Sequence, residues 1–479
     1  MLDYIIFALS VLHFLLVIST TLRMLLREDI SAPARLAWFS VIVALPFVGL
    51  AAYLLMGEVW FPRTLRENHD RARAMLKAAQ PDIYNDQTPA LIPPPYDKSF
   101  KYSKTINGFP PVNGTHLELL PDAAEVHRRM IADIDAATSS VNVIFYIWLP
   151  DTTGTEIAQA LIRAAKRGVI CRAGADNLGS RKLLRTQIWQ NMKLAGVQVQ
   201  AAMPFRAIFR VWLTARFDLR NHRKITVIDG KIAWIGSKNA ADPAFLPKAK
   251  YGPWIDIMLR AQGPLVHQVQ ALFIEDWLLG DTSDVSAFDF NAAAQEGGCI
   301  TQFRGTGPLQ RRHSVSQAFC TLFELAEQEI NITTPYFVPN TSVIQALQAA
   351  ALRGVKVTLN LPAKNDSWIV KAASQGNYLA LLEAGARIME HGPGLLHSKI
   401  VTVDGVLTML GSSNLDMRSF DLNFENDLLI YGIAETSMIR QRQLEYLAQS
   451  HEITMDDLNA RSMLLRLRDN LVATLGPIL

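Results

Sequence analysis

Two short pairs, His222-Arg-Lys224 and His397-Ser-Lys399, each head an alternating apolar run, and the residues behind each pair repeat. The stretch Asn221–Asn239, NHRKITVIDGKIAWIGSKN, returns as Leu396–Asn414, LHSKIVTVDGVLTMLGSSN. His222, Lys224, Asp229, Gly230, Gly236, Ser237 and Asn239 recur at one constant offset as His397, Lys399, Asp404, Gly405, Gly411, Ser412 and Asn414. On a strand, residues two apart share a face, so each histidine and its lysine point the same way. A single such pair would be an ordinary polar pair on a surface. Turn chemistry has no need of a second histidine, lysine and asparagine, so the repetition argues for one paired site. The set suits phosphodiester cleavage without a metal. One neutral imidazole attacks phosphorus while the other, protonated, serves the leaving alcohol. Lys224 and Lys399 offset charge on the equatorial oxygens. Asn239 and Asn414, with the hydroxyls of Ser237 and Ser412, are further candidate donors to the same oxygens.

The pattern His-x-Lys-x4-Asp, twice, with Gly-Ser-x-Asn behind it, resembles the phospholipase D superfamily. The second copy continues as NLDMRSFDLNFEND, which is similar to the bacterial cardiolipin synthases. That resemblance implies a catalytic set of His222, Lys224, Asp229, His397, Lys399 and Asp404, with His222 as nucleophile and His397 as acid and later base; symmetry alone leaves the choice of nucleophile open. It also implies phosphatidylglycerol as substrate, with a phosphatidyl-histidine intermediate and release of glycerol. A second phosphatidylglycerol would then be the acceptor. No cofactor is implied.

Parity qualifies the motif. Asp229 and Asp404 lie five residues past the lysines, in Asp-Gly steps that read as hairpin turns, which makes them structural. A histidine nucleophile still needs an acceptor on its other nitrogen. Asp256 in GPWIDIML and Glu425 in LNFENDLL, flanked by apolar residues on the following strands, are the expected orienters, and the superfamily resemblance matches them. Asp416, Arg418 and Ser419 follow the second motif where the first has Ala240, Ala241 and Asp242, so the halves should differ in function. His391, in a Gly-Pro-Gly loop, reads as a bystander.

These residues must be positioned by a duplicated body. VNVIFYIW at Val141 parallels INITTPYF at Ile330; Ile157–Arg172 parallels Val343–Thr358; AGVQVQ at Ala195 parallels AGARIM at Ala384. Each half therefore reads strand–helix–strand–helix–strand and then the motif hairpin, an α/β architecture of mixed sheets flanked by helices. The expected order is a transmembrane hairpin over 1–60, an extended linker over 61–110, and phospholipase D-like halves over 111–290 and 291–479 that pack about a pseudo-two-fold, with the motifs meeting at the seam.

Tyr4–Leu22 and Leu36–Met56 are apolar runs, each long enough to cross a hydrocarbon core of about 30 Å. They predict a two-helix membrane hairpin rather than a signal peptide, since no basic leader or Ala-x-Ala-like site is present. Arg23, Arg27 and Arg35 lie between the runs; Arg63, Arg66, Arg71, Arg73 and Lys77 follow them, which places the body in the cytoplasm of a bacterial inner membrane. Pro204–Arg220 interleaves aromatics with arginines and suits either an anionic bilayer or a buried helix with a basic stripe. The closing stretch RSMLLRLRDNLVATLGPIL reads as a packing helix. A net charge of +3 gives no footprint for nucleic acid, and the three cysteines and scattered histidines have no metal spacing. Membrane lipids are the expected partners, and the oligomeric state is open. Competing readings are a hydrolytic phospholipase D, a transferase with another acceptor such as phosphatidylethanolamine, a nucleic-acid phosphodiesterase, and a non-catalytic scaffold.

Overall fold

The computed structural model describes residues 1–28, 30, 32–45, 47–58, 63–85, 90–202, 218–280 and 284–474. Most of the basic-aromatic stretch Pro204–Arg220 lies outside them. The chain divides into an N-terminal unit, chiefly Met1–Arg63, and a body formed by Thr64–Pro204 and Arg220–Ala473.

In the N-terminal unit, Leu2–Leu25 is one 24-residue apolar helix, about 36 Å long and sufficient to cross a bilayer. The second apolar run corrects the expected hairpin. It forms two helices, Ala32–Ala44 and Val48–Met56, about 20 and 14 Å long, each too short to span. Between them the sequence holds Pro46, a residue whose ring cannot continue a helix. The second run then doubles back. Arg23, near the end of the first helix, makes a bidentate pair with Glu58 at 2.7 and 2.8 Å, while Arg27 and the Tyr53 hydroxyl reach the same carboxylate at 2.9 and 2.8 Å. The start and the end of the second run thus meet at the same end of the first helix. Phe47, between the two short helices, meets His13 at the middle of the first helix, ring to ring at 5.3 Å. Trp38 and Tyr53 pack edge to face between the two short helices.

The body is built on one continuous sheet. The first half supplies β1 (Val112–Leu119), β2 (Ser140–Phe145), β3 (Ile170–Asp176), β4 (Gln198–Ala202), β5 (Lys224–Ile228), β6 (Ile232–Gly236) and β7 (Met258–Gln262). The second supplies β8 (Cys299–Thr306), β9 (Glu329–Thr333), β10 (Lys356–Pro362), β11 (Arg387–His391), β12 (Ile400–Val403), β13 (Leu407–Gly411) and β14 (Asn423–Tyr431), with β15 (Ser450–Ile453) at the edge. Their order across the sheet is β15-β11-β10-β9-β12-β13-β14-β8-β1-β7-β6-β5-β2-β3-β4. Every strand of the first half has its counterpart seven strands later, in mirrored sequence about the antiparallel β1–β8 seam, where the Thr115 and Thr301 hydroxyls bond at 2.8 Å. The expected mixed sheet is therefore present, and it runs unbroken through both halves. β2 is buried along its whole length and β9 along all but Glu329, as central strands covered by helices on each side should be. The helix Leu265–Trp277, buried along almost its whole length, packs beneath the seam.

The expected linker is also corrected. Arg63–Ala79 is a helix with His69, Ala72 and Leu76 buried, and Asp97–Asn107 is another that seats Phe100. Ala72 and Leu76 join the core beneath the seam and Phe100 joins that of the second half. Buried positions three or four apart, among many charges, gave these helices a spacing that the neighbouring Pro-rich stretch obscured.

Candidate active site

Each motif histidine stands just before the motif strand, which begins at Lys224 in the first half and just after Lys399 in the second, and it is set there by the opposite half. Arg220–Asn221 forms a two-residue parallel ladder with Asn423–Phe424, and the His222 N–H donates to the Phe424 carbonyl at 2.9 Å. Leu395–Leu396 pairs in the same way with Trp254–Ile255, and the His397 N–H donates to the Ile255 carbonyl at 2.8 Å. The residue after each acceptor carbonyl is an acid. Glu425 therefore sits at His222 Nδ1, 2.8 and 3.0 Å away, and Asp256 at His397 Nδ1, 2.6 Å away. The expected orienters are in place, and each reaches the histidine of the other half.

The serines are a correction. Ser237 Oγ donates to Asp256 at 2.6 Å and Ser412 Oγ to Glu425 at 2.5 Å, and each hydroxyl also accepts a backbone N–H, from Ile257 and Asn426. They hold the acids rather than face a phosphate. Asp229 and Asp404, enrolled by the motif as catalytic, are corrected likewise. Both have positive φ, 53° and 52°, at the far end of the motif strand, about 16 Å along it from the lysines. The Asp229 carboxylate accepts backbone N–H bonds from Thr138, Ser139 and Ser140; that of Asp404 accepts them from Glu327, Gln328 and Glu329. They clamp the entry to β2 and to β9, as turn parity predicted.

His222 and His397 open onto one cavity of about 310 Å³, lined also by Tyr146, Asn239, Trp254, Tyr336, Asn414 and Arg418. The Asn239 Oδ1 accepts from the Ile147 N–H at 3.0 Å, which leaves its buried Nδ2 without a partner among the described residues. That amide is a donor awaiting an acceptor. Asn414 lines the opposite wall. Lys224 and Lys399 lie under the histidines, each Nζ donating to its own histidine's carbonyl at 2.5 Å. Burial pushes Lys224 down to about 8 and Lys399 to about 7. Burial also lowers both imidazoles to about 4, so both are neutral at neutral pH. For the acids, burial works upward, but the facing histidines and lysines outweigh it and hold Asp256 and Glu425 below the usual carboxylate range. A carboxylate at Nδ1 fixes the tautomer that presents a free Nε2 to the cavity. The arrangement thus places two imidazole nitrogens on one cavity, with Lys224 and Lys399 buried directly behind the histidines.

Comparison with known proteins gives the lineage. A family described as cardiolipin synthase, phospholipase D-like domain, matches residues 130–277 and 319–445, one match in each half, and a phospholipase D-nuclease N-terminal family matches residues 13–58. Cardiolipin synthase A of Yersinia pseudotuberculosis serotype IB is 34% identical over 98% of this chain and 97% of its own. This chain belongs to the cardiolipin synthase family. Cardiolipin synthase A of Serratia proteamaculans is 35% identical over the same shares. A phosphatidylserine synthase from Haemophilus influenzae shares the fold, with a TM-score of 0.58 at 17% identity, covering 80% of this chain and 100% of that one.

Some residues of this site went unread in the sequence. Tyr146 meets the His222 ring edge-on at 4.8 Å, and Trp254, stacked on Phe245, covers His397 at 4.4 Å. Trp254 and Asn423 each stand two residues before an acid, so the duplication that found the acids could have found this asymmetry. Tyr336 donates to Asp366 at 2.7 Å, and Lys248 reaches the same carboxylate at 2.5 Å. Arg223, buried between the two motif residues, bonds Asp276 and donates to the Glu425 and Thr306 carbonyls at 3.0 Å, tying the motif strand to both halves. His391 bonds the Tyr446 carbonyl, outside the cavity lining, as a bystander would.

Proposed function

We propose that this chain is a phosphatidyltransferase that makes cardiolipin from two molecules of phosphatidylglycerol. The reading is carried by the pair of carboxylate-held histidines facing one cavity, in a chain of this family. His222 Nε2 attacks the phosphorus of the first lipid, and the bond to the headgroup oxygen breaks. His397 gives its proton to that oxygen, and glycerol leaves. A hydroxyl of the second phosphatidylglycerol then passes its proton to His397, and its oxygen replaces His222 on phosphorus. Burial keeps both imidazoles neutral, so His397 takes up its proton with the anionic substrate, whose charge raises a neighbouring base. Lys224, Lys399 and the Asn239 amide receive the equatorial oxygens. Asp256 and Glu425 keep the imidazoles in register and stabilise the imidazolium as it forms. Nothing in this scheme requires a metal or cofactor.

The membrane segment supports a cytoplasmic body at a bacterial inner membrane. With the second run doubled back, it starts and ends beside Arg23 and Arg27, and the basic residues from Arg63 to Lys77 come directly after it in the chain. All these charges then count toward one face of the membrane, a stronger bias than a two-helix hairpin would give.

The deciding experiment incubates the full chain in mixed micelles with headgroup-labelled phosphatidylglycerol and separates the lipids. Cardiolipin with equimolar free glycerol is the expected result. Phosphatidic acid with glycerol and no cardiolipin would make water the acceptor and the protein a hydrolase.

A further inference from the structure

The helix Met463–Thr474 turns its apolar side outward. Met463, Leu464, Leu467 and Leu471 are 85, 79, 63 and 64% exposed, whereas Asp469 and Val472 are buried on the opposite side. At about 100° per residue the four exposed side chains fall within an arc of about 100°, and Arg466 and Arg468 stand on its two borders. An apolar stripe bordered by guanidinium groups is the composition of a helix lying in a lipid interface. A packing helix, which the sequence suggested, would bury that stripe.

The position of this helix gives the stripe a use. Val472 packs on Ala372 and Ala373 of the helix Trp368–Gly376, and Arg461 donates to Gln375 at 2.9 Å. That second helix starts two residues after Asp366, which lines the catalytic cavity, and its first residue, Trp368, is 65% exposed. Across the same cavity lining, Lys248 binds Asp366 and the nearby Leu246 is 72% exposed. Apolar and basic side chains therefore run from the cavity rim to the C-terminal helix. We infer that the stripe Met463-Leu464-Leu467-Leu471, with Trp368 and Leu246, docks the body on an anionic lipid bilayer and so presents the cavity to lipid headgroups. Charge complementarity selects the occupant: Arg466 on one border, and on the other Arg468, which also pairs with Asp469 at 2.7 Å, suit an anionic leaflet. The inference concerns the body's surface and holds whichever acceptor the site uses.

The test uses the full chain reconstituted in vesicles of phosphatidylcholine with phosphatidylglycerol. A fluorophore at Leu467→Cys, corrected for labelling of the native cysteines, should be quenched by brominated lipid at least about twofold more than one at Glu383→Cys, which lies outside the stripe. Quenching by aqueous iodide alone, or by a labelled second copy of the chain, would overturn the docking. In parallel, the variant Leu464→Glu/Leu467→Glu should lose about tenfold in turnover of vesicle lipid while keeping its turnover of dispersed short-chain phosphatidylglycerol. An unchanged or equal loss on both substrates would overturn it. If the wild type turns over neither substrate, the proposed function fails, and the quenching result still decides the docking.

Discussion

At the level of single residues, the site assigns separate work to groups that the motif lists together. His222→Ala and His397→Ala should each lower transfer by about 10³-fold or more in a protein that still folds, with Tm lowered because Glu425 or Asp256 loses a hydrogen-bond donor. Substantial synthesis by either variant, measured as cardiolipin formed per folded molecule, would end the two-histidine mechanism. Asp229→Asn should do the reverse. Its carboxylate collects three backbone N–H groups at the entry to β2, so the variant should lose about 1–3 kcal/mol of stability, read by denaturant unfolding, and keep its turnover. A well-folded, inactive Asp229→Asn would restore it to the chemistry. The histidines, lysines and asparagines were legible because a string repeated at a fixed offset is local information. That each acid serves the other half's histidine was not legible. Glu425 is 203 residues from His222 and Asp256 is 141 from His397, and no periodicity encodes a pairing at such distances. The role of the serines is hidden for a related reason. In sequence they border the asparagines that face the cavity, while the strand turn aims them at the acids.

At the level of elements, composition announced each apolar or amphipathic segment but not what it would pack against. The run Leu36–Met56 had the length of a spanning helix, yet it carries Pro46 and forms two short helices, and the Arg23–Glu58 pair returns its end to its start. The helix Arg63–Ala79 carries its buried residues at helical spacing, but the proline-rich stretch it adjoins hides it within what looks like a linker. The fold-back has a direct consequence. Single cysteines at Glu28→Cys and Arg63→Cys bracket the second run, and both should react with an impermeant maleimide from the same face of the membrane. Reaction from opposite faces would mean that the run crosses after all.

At the level of the whole molecule, joining the halves at the β1–β8 seam buries two histidines at one cavity and a lysine behind each, and that burial sets the response to pH. Lys399 is held to about 7 and Lys224 to about 8, against an ordinary value of 10.5, because burial disfavours their charge. A base whose folded value is depressed disfavours the fold when protonated. That penalty is absent above the unfolded value of 10.5, develops as pH falls, and is complete below about 7. An anionic ligand acts in the opposite sense, since it rewards the protonated lysines. The empty protein should therefore gain stability from these two groups between pH 7 and 9, while the stabilisation conferred by a soluble phosphodiester should shrink over the same window. Binding at pH 8 should draw protons from the buffer, giving calorimetric heats that depend on the buffer's ionisation enthalpy. Thermal unfolding with and without glycerophosphoglycerol across that range measures both effects in the full chain. A ligand-induced shift in Tm that stays constant from pH 7 to 9 would mean that the lysines are not the charges that receive the phosphate, and the cationic floor of the cavity would have to lie with Arg418 instead.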